Sequence, residues 1–316
     1  MGNRATDSSS GMVAEKKRHS WLVGFMIRLV KEKPLGTVGL SITLLLLLVG
    51  IFADLIAPYG MNDIHTDALL QAPSAKYWMG TDNLGRDILS RIIFGARTSA
   101  IVGLLAATLA TSLGAVIGGL SGYIGGKFDI LMQRFVDAIL CLPTLILLMV
   151  LVSLIGPGIW QIIVVLGISF GVGGSRIIRS AVISIKENVY IEAAVAIGCP
   201  TSRIFIWHVL PNIMALLIIQ FSIRVPGVIL TEASLSFLGL GIPPPQPSWG
   251  GMLSGNARLY MHRAPWMAIW PGLALGTVVY GVNMFGDAVR DLLDPKLRGG
   301  AGRYGVKVKK EVNIKK

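Results

Sequence analysis

The sequence predicts an all-helical, polytopic membrane protein, and three observations carry that prediction. Of the 316 residues 53% are hydrophobic and only 15% charged, against roughly 45–50% and about 25% in ordinary soluble domains. The apolar residues gather into runs about as long as a bilayer is thick. The net charge of +12 sits at both ends and in short segments between those runs, where anionic headgroups meet it, so nucleic acid is not the expected partner and membrane lipid is.

The elements follow in order. Residues 1–34 form a basic cytoplasmic segment carrying Lys16, Lys17, Arg18, Arg28, Lys31 and Lys33. The run that follows, 35–57, is too long for a secretory signal and lacks a small-residue cleavage site, so it reads as an uncleaved first span. Five more spans are expected at 98–124, 136–155, 159–175, 212–232 and 266–288. Gly and Pro occur inside several of them, which membrane helices tolerate. With the N-terminus inside, 22 of the 29 Lys and Arg fall on the cytoplasmic side. Six fall outside (Lys76, Arg86, Arg91, Arg97, Arg258 and Arg263), and Arg224 lies in the fifth span. That distribution obeys the positive-inside rule and puts both termini, including the basic tail 291–316, in the cytoplasm of a multi-pass plasma-membrane protein.

Three segments exceed simple hairpins. The outer loop 58–97 is expected to hold an interfacial helix: Thr81 or Asp82 can cap it, Leu84, Ile88, Leu89, Ile92 and Ile93 give it an apolar face, and Asp87 with Arg91 is a favourable i, i+4 pair. The inner segment 184–211, inside the core region 98–290, is patterned as two short helices around a break. Asn188 is placed to cap the first, Gly198 to end it in the left-handed conformation, and Pro200 to open the second, with Pro211 marking its end. An outer loop near 233–265 completes the set.

Charges deep in the membrane face protein or water. Arg224 lies roughly 18 Å along the fifth span at 1.5 Å per residue, open to lining a path, pairing with a neighbouring subunit or snorkelling; Glu232 lies nearer the outer interface. No Lys is followed by Ser or Thr, so no P-loop is present. His19, His65, His208 and His262 are scattered, and no metal or catalytic constellation stands out. Cys141 and Cys199 are expected as thiols.

The run Glu192-Ala193-Ala194, then Gly198, then Leu210-Pro211 resembles the EAA motif of permease subunits of ABC importers. His208 stands where the general motif has Ile, a form similar to that of the peptide and nickel branch. Gly80-Thr81-Asp82-Asn83-Leu84-Gly85-Arg86-Asp87, Ser234 to Gly241, and Gly286-Asp287 with Arg290-Asp291 through Leu293-Asp294-Pro295 resemble the C-type subunit of dipeptide and oligopeptide permeases. The resemblance implies the type I importer permease fold and a hairpin that docks on an ATPase subunit through Glu192, Ala193, Ala194, Gly198, Leu210 and Pro211. It further implies a second permease subunit, two ATPase subunits that carry ATP and magnesium, and an extracytoplasmic binding protein; the outer helix with Asp82, Arg86, Asp87 and Arg91 is open equally to contact with such a protein or to a collar at the membrane surface. The chain itself would hold no cofactor and perform no catalysis. Peptide is the expected substrate, with nickel the alternative within the branch. An ion-driven carrier or channel acting alone is the alternative outside it.

Overall fold

The computed structural model describes residues 21–293. The first twenty residues, the tail beyond Leu293 and its Leu293-Asp294-Pro295 motif lie wholly or partly outside that range. Among the described residues the structure is helical, broken only by loops and one isolated bridge between Thr81 and Asp87.

Helix α1 (Trp21–Glu32) leads into α2 (Pro34–Ile51), whose start suits Pro34 because the first turn needs no N–H donor there. A short turn, α3 (Ala53–Ile56), ends the first span. The second span is α4 (Ile88–Ile124), 37 residues long, or about 55 Å, so its outer turns stand clear of a bilayer. This corrects the interfacial helix expected in the outer loop. Asp82 cannot start a helix because its Oδ1 already accepts the Leu84 and Arg86 N–H groups at 2.9 Å, closing a turn. Helix formation waits for Asp87, whose carboxylate caps α4 by accepting from the Ser90 N–H at 2.7 Å.

The third span is not one helix. α5 (Gly126–Leu140) and α6 (Thr144–Ile155) meet at 90°. Pro143 withholds its N–H and forces Leu142 out of the helical region, so the apolar run turns a corner there. α7 (Ile159–Lys186) runs well past residue 175 and carries the chain into the inner hairpin. That hairpin is α8 (Val189–Ala196) and α9 (Thr201–Ile204), followed by a π-turn (Phe205–Val209) that runs into α10 (Leu210–Phe237). Pro211 therefore sits inside continuous helix and does not end the hairpin. The wider turn absorbs it, since Pro cannot donate back to the carbonyl four residues before. Two short outer helices, α11 (Trp249–Leu253) and α12 (Asn256–Leu259), precede α13 (Trp266–Leu293).

Five of these helices are long and apolar enough to cross a membrane, and the bent α5–α6 pair makes a sixth crossing if counted as one span. α4 and α7 form the central seam, where Gly114, Gly118 and Gly122 bring the α4 backbone onto Gly171, Ser175 and Arg179. Val102, Ala106, Leu148, Val152, Ile162, Leu166, Val228 and Leu235 fill the space among α4, α6, α7 and α10. A second cluster joins α2, α4, α10 and α13 through Leu46, Ala107, Val225, Val278 and Val282.

Candidate functional site: the helical hairpin and its clamp

The hairpin is anchored from beneath. Ile191, Ile204, Val209 and Ile213 are buried with Tyr123, Ile178 and Val182 of α4 and α7, and Lys186 donates to the Tyr123 carbonyl at 2.8 Å. Asn188 does not cap α8 as expected. Its amide donates to the Ser184 and Ile185 carbonyls at 3.3 and 2.9 Å, so it closes the end of α7 instead. Gly198 behaves as predicted: it has φ +78° and ends α8, with its N–H bonded to Val195 and that of Cys199 to Ala194. Glu192, Ala193 and Gly198 are exposed and Ala194 half-buried, with Leu210 half-buried and Pro211 exposed at the head of α10. Beside them stand apolar side chains that no described residue covers: Val189 is 79% and Ile197 84% exposed. An exposed turn between helices has no reason to carry them unless another surface takes them up.

A charged clamp, not anticipated from the sequence, fixes α7, the helix that leads into the hairpin, to α5 and α4. Asp129 of α5 receives the Arg179 Nε of α7 at 2.5 Å and the same guanidinium's Nη2 as a second bond. Ser121 of α4 donates to the same carboxylate, and Gln133 donates to Ser121 at 3.1 Å. Two turns along α5, Asp137 pairs with Arg176. The signal was present: Asp129, Gln133 and Asp137 recur every four residues along one face of α5, and Arg176 and Arg179 share a face of α7.

The other predicted residues fall elsewhere. Arg224 turns toward α7 of its own chain, donating through Nη1 to the Phe170 carbonyl and through Nη2 to Gln220 at 3.4 Å, over the bare backbone of Gly174. Glu232 is only 1% exposed. Its Oε1 accepts from Ser236 at 2.7 Å, and Gly250 at the start of α11 packs onto the neighbouring Ala233 backbone, so it lines no open path.

On the outer face Asp82, Asp87 and Arg91 are buried, against the expectation of surface contacts. Asp82 holds Arg86 at 2.7 Å, Asp87 caps α4, and Arg91 donates to the Met61 carbonyl at 3.0 Å. Arg86 is half-buried and borders a cavity of about 390 Å³ with Gln246 and Pro243. Asp82→Ala should cost about 3 kcal/mol in the outer loop, because it strands the half-buried Arg86 guanidinium and two turn N–H groups. Limited proteolysis from the outer face should then cut near Arg86 in the variant and spare the parent.

Among the described residues no three His, Cys, Asp or Glu side chains gather at metal-binding distance. Cys141 and Cys199 are free thiols.

Helical spans, a hairpin packed onto them and a folded loop make this a membrane-embedded helical subunit. Comparison with known proteins places it further. Residues 112–299 match the family described as the inner membrane component of binding-protein-dependent transport systems, and residues 24–73 match the N-terminal membrane domain of oligopeptide transport permease C. The chain belongs to this family of ABC-importer permeases. It is 40% identical over 269 residues to the dipeptide transport system permease protein DppC of Alkalihalophilus pseudofirmus, covering 85% of this chain and 88% of that protein. It is 37% identical over 297 residues to the oligopeptide transport system permease protein OppC of Bacillus subtilis, covering 93% and 96%. The fold is shared with a chain of the inward-facing MetNI methionine ABC transporter at TM-score 0.53 and 17% identity, covering 65% of this chain and 96% of that one.

Proposed function

We propose that this chain is one of two permease subunits of an ATP-driven peptide importer, with two ATPase subunits on its cytoplasmic face and a substrate-binding protein outside. ATP and magnesium belong to the ATPase subunits, and both termini of this chain lie in the cytoplasm. The relatives named for dipeptide and oligopeptide transport support peptide as substrate, and none of those cited is named for nickel. The observation that carries the reading is the uncovered apolar tip of the hairpin, Val189 and Ile197, beside the exposed Glu192 and Ala193. Docked in an ATPase cleft, that tip would move with the ATPase as it closes on ATP. Because the hairpin is packed onto α4 and α7, the spans would follow, from inward-facing to outward-facing. Glu192, Ala193, Ala194, Gly198, Leu210 and Pro211 transmit the motion and do no chemistry. Arg224 acts as a strut between α10 and α7. Arg86 borders the outer cavity where the binding protein delivers its load. An ion-driven carrier has less behind it, since the deep carboxylate Glu232 is sealed in the fold.

Ile197→Glu tests this. The side chain is in solvent, so folding and insertion should be unchanged, while burying its carboxylate in an apolar cleft costs more than about 2 kcal/mol. Copurified ATPase subunits and peptide uptake should each fall by at least about tenfold. Gly198→Asp, which strains the left-handed turn by about 1 kcal/mol, should insert normally and import poorly. Full uptake with a normal ATPase complement in both variants would remove the docking role.

A further inference from the structure

The last span differs from the others in what it leaves uncovered. Helical spacing puts Leu273, Gly276, Tyr280, Asn283 and Asp287 on one face of α13, and all five are exposed, Tyr280 at 65%. The opposite face, Val278, Val282 and Val289, is buried against the bundle. Measured from Trp266 at 1.5 Å per residue, Gly276 lies about 15 Å into the membrane, Tyr280 about 21 Å and Asp287 about 31 Å. The stripe therefore runs from mid-membrane to the cytoplasmic boundary. α2 shows what a lipid-facing surface looks like in this chain: its exposed residues include Leu44, Leu45, Leu48 and Ile51. A phenol, a carboxamide and a carboxylate in succession are what hydrocarbon-facing helices avoid.

Two independent observations point the same way. Asp287 has no hydrogen-bond or ion-pair partner among the described residues, whereas Asp291, one turn on, is held by Lys33 at 2.6 Å. The same side of α10 is also open. Gly286 packs against Ser222 and Ile223, so the uncovered faces of α13 and α10 flank one groove, and a side chain added at Gly276 of α13 or Gly227 of α10 would touch nothing within 4 Å.

We propose that this face of α13, with the Gly227 side of α10, is the chain's wall of the aqueous translocation path, and that Asp287 is the anionic group at its cytoplasmic end that meets the substrate's cationic groups. This deepens the importer reading and rests on it. A carboxylate with no partner among the described residues favours a cation passing along the wall, and the open glycines leave it room.

The test uses the whole complex in inside-out membrane vesicles. On a Cys141→Ser, Cys199→Ala background, single substitutions Gly276→Cys, Tyr280→Cys and Asn283→Cys are compared with Leu45→Cys for reaction with a charged, membrane-impermeant thiol reagent. The first three should react at least about tenfold faster than the fourth, because thiolate formation and a charged reagent both need water. Equal, slow reaction at all four would place the face in lipid or against the second permease and overturn the proposal. Rates that are fast but unmoved by ATP with vanadate would leave the wall in place and count against the ATP-driven reading instead. For Asp287, uptake of radiolabelled lysyl-alanine and glutamyl-alanine is compared in Asp287→Asn and Asp287→Glu. Loss of one charge should lower the lysyl-to-glutamyl ratio by about fivefold, and the glutamate variant should restore it. An equal loss for both peptides would make Asp287 a structural residue and overturn its assignment.

Discussion

Gly118→Leu is expected to leave almost no assembled protein in the membrane. A Cβ at residue 118 would stand 2.1 Å from the Ser175 carbonyl oxygen and 2.9 Å from the Arg179 nitrogen. Both are backbone atoms of α7 and cannot swing aside, so α4 and α7 must part along the seam that Gly114 and Gly122 also close. Overpacking of this kind costs about 3 kcal/mol or more, enough to unfold a marginal bundle. Val116, two residues away, is 55% exposed, and Val116→Leu should be silent. Immunoblots of the membrane fraction with size-exclusion profiles in mild detergent check both. A normal elution peak for Gly118→Leu would show that the seam is looser than drawn.

The second large effect belongs to the clamp. Removing Asp129 leaves the Arg179 guanidinium, 30% exposed at its side chain, with neither of its carboxylate bonds. Stranding one member of a part-buried, doubly hydrogen-bonded pair costs about 1–3 kcal/mol. Asp129→Ala and Arg179→Ala should each lower the thermal midpoint of the purified complex and remove most uptake. The double variant should be no worse than the poorer single one, since the pair acts as a unit. Strict additivity in that cycle would mean that Asp129 and Arg179 act independently and that the clamp does not join α5 to the hairpin-bearing α7.

Local chemistry was legible in the sequence wherever a residue type permits one conformation. Gly198 ends its helix in the left-handed region as foreseen, and the apolar runs locate the crossings. The corner at Pro143 was missed because an apolar run reports burial and not direction. Asn188 was assigned to the wrong helix because its amide can serve either end of a break, and sequence does not say which carbonyls lie in reach. Asp82, Asp87 and Arg91 read as surface charges because Asp82 fits a cap, and Asp87 with Arg91 an i, i+4 pair, on the polar side of an interfacial helix. Their burial depends on Met61 and on the turn around Gly85, which only the folded outer loop brings together. Arg224 finds Phe170 across 54 positions, and no local pattern encodes that.

The π-turn at Phe205–Val209 acts as a phase setting. In an unbroken α-helix Ile204 and Ile213 would point about 180° apart, and only one of them could reach the cluster under the hairpin. The wider turn brings Ile204, Val209 and Ile213 into that one cluster. Deleting one residue from it would rotate the hairpin by about 100° about the axis of the membrane helix, with every contact within α8 intact. The face offered to the cytoplasm is thus decided by the length of a five-residue stretch as much as by the motif it carries, and relatives that present the same face must keep that count.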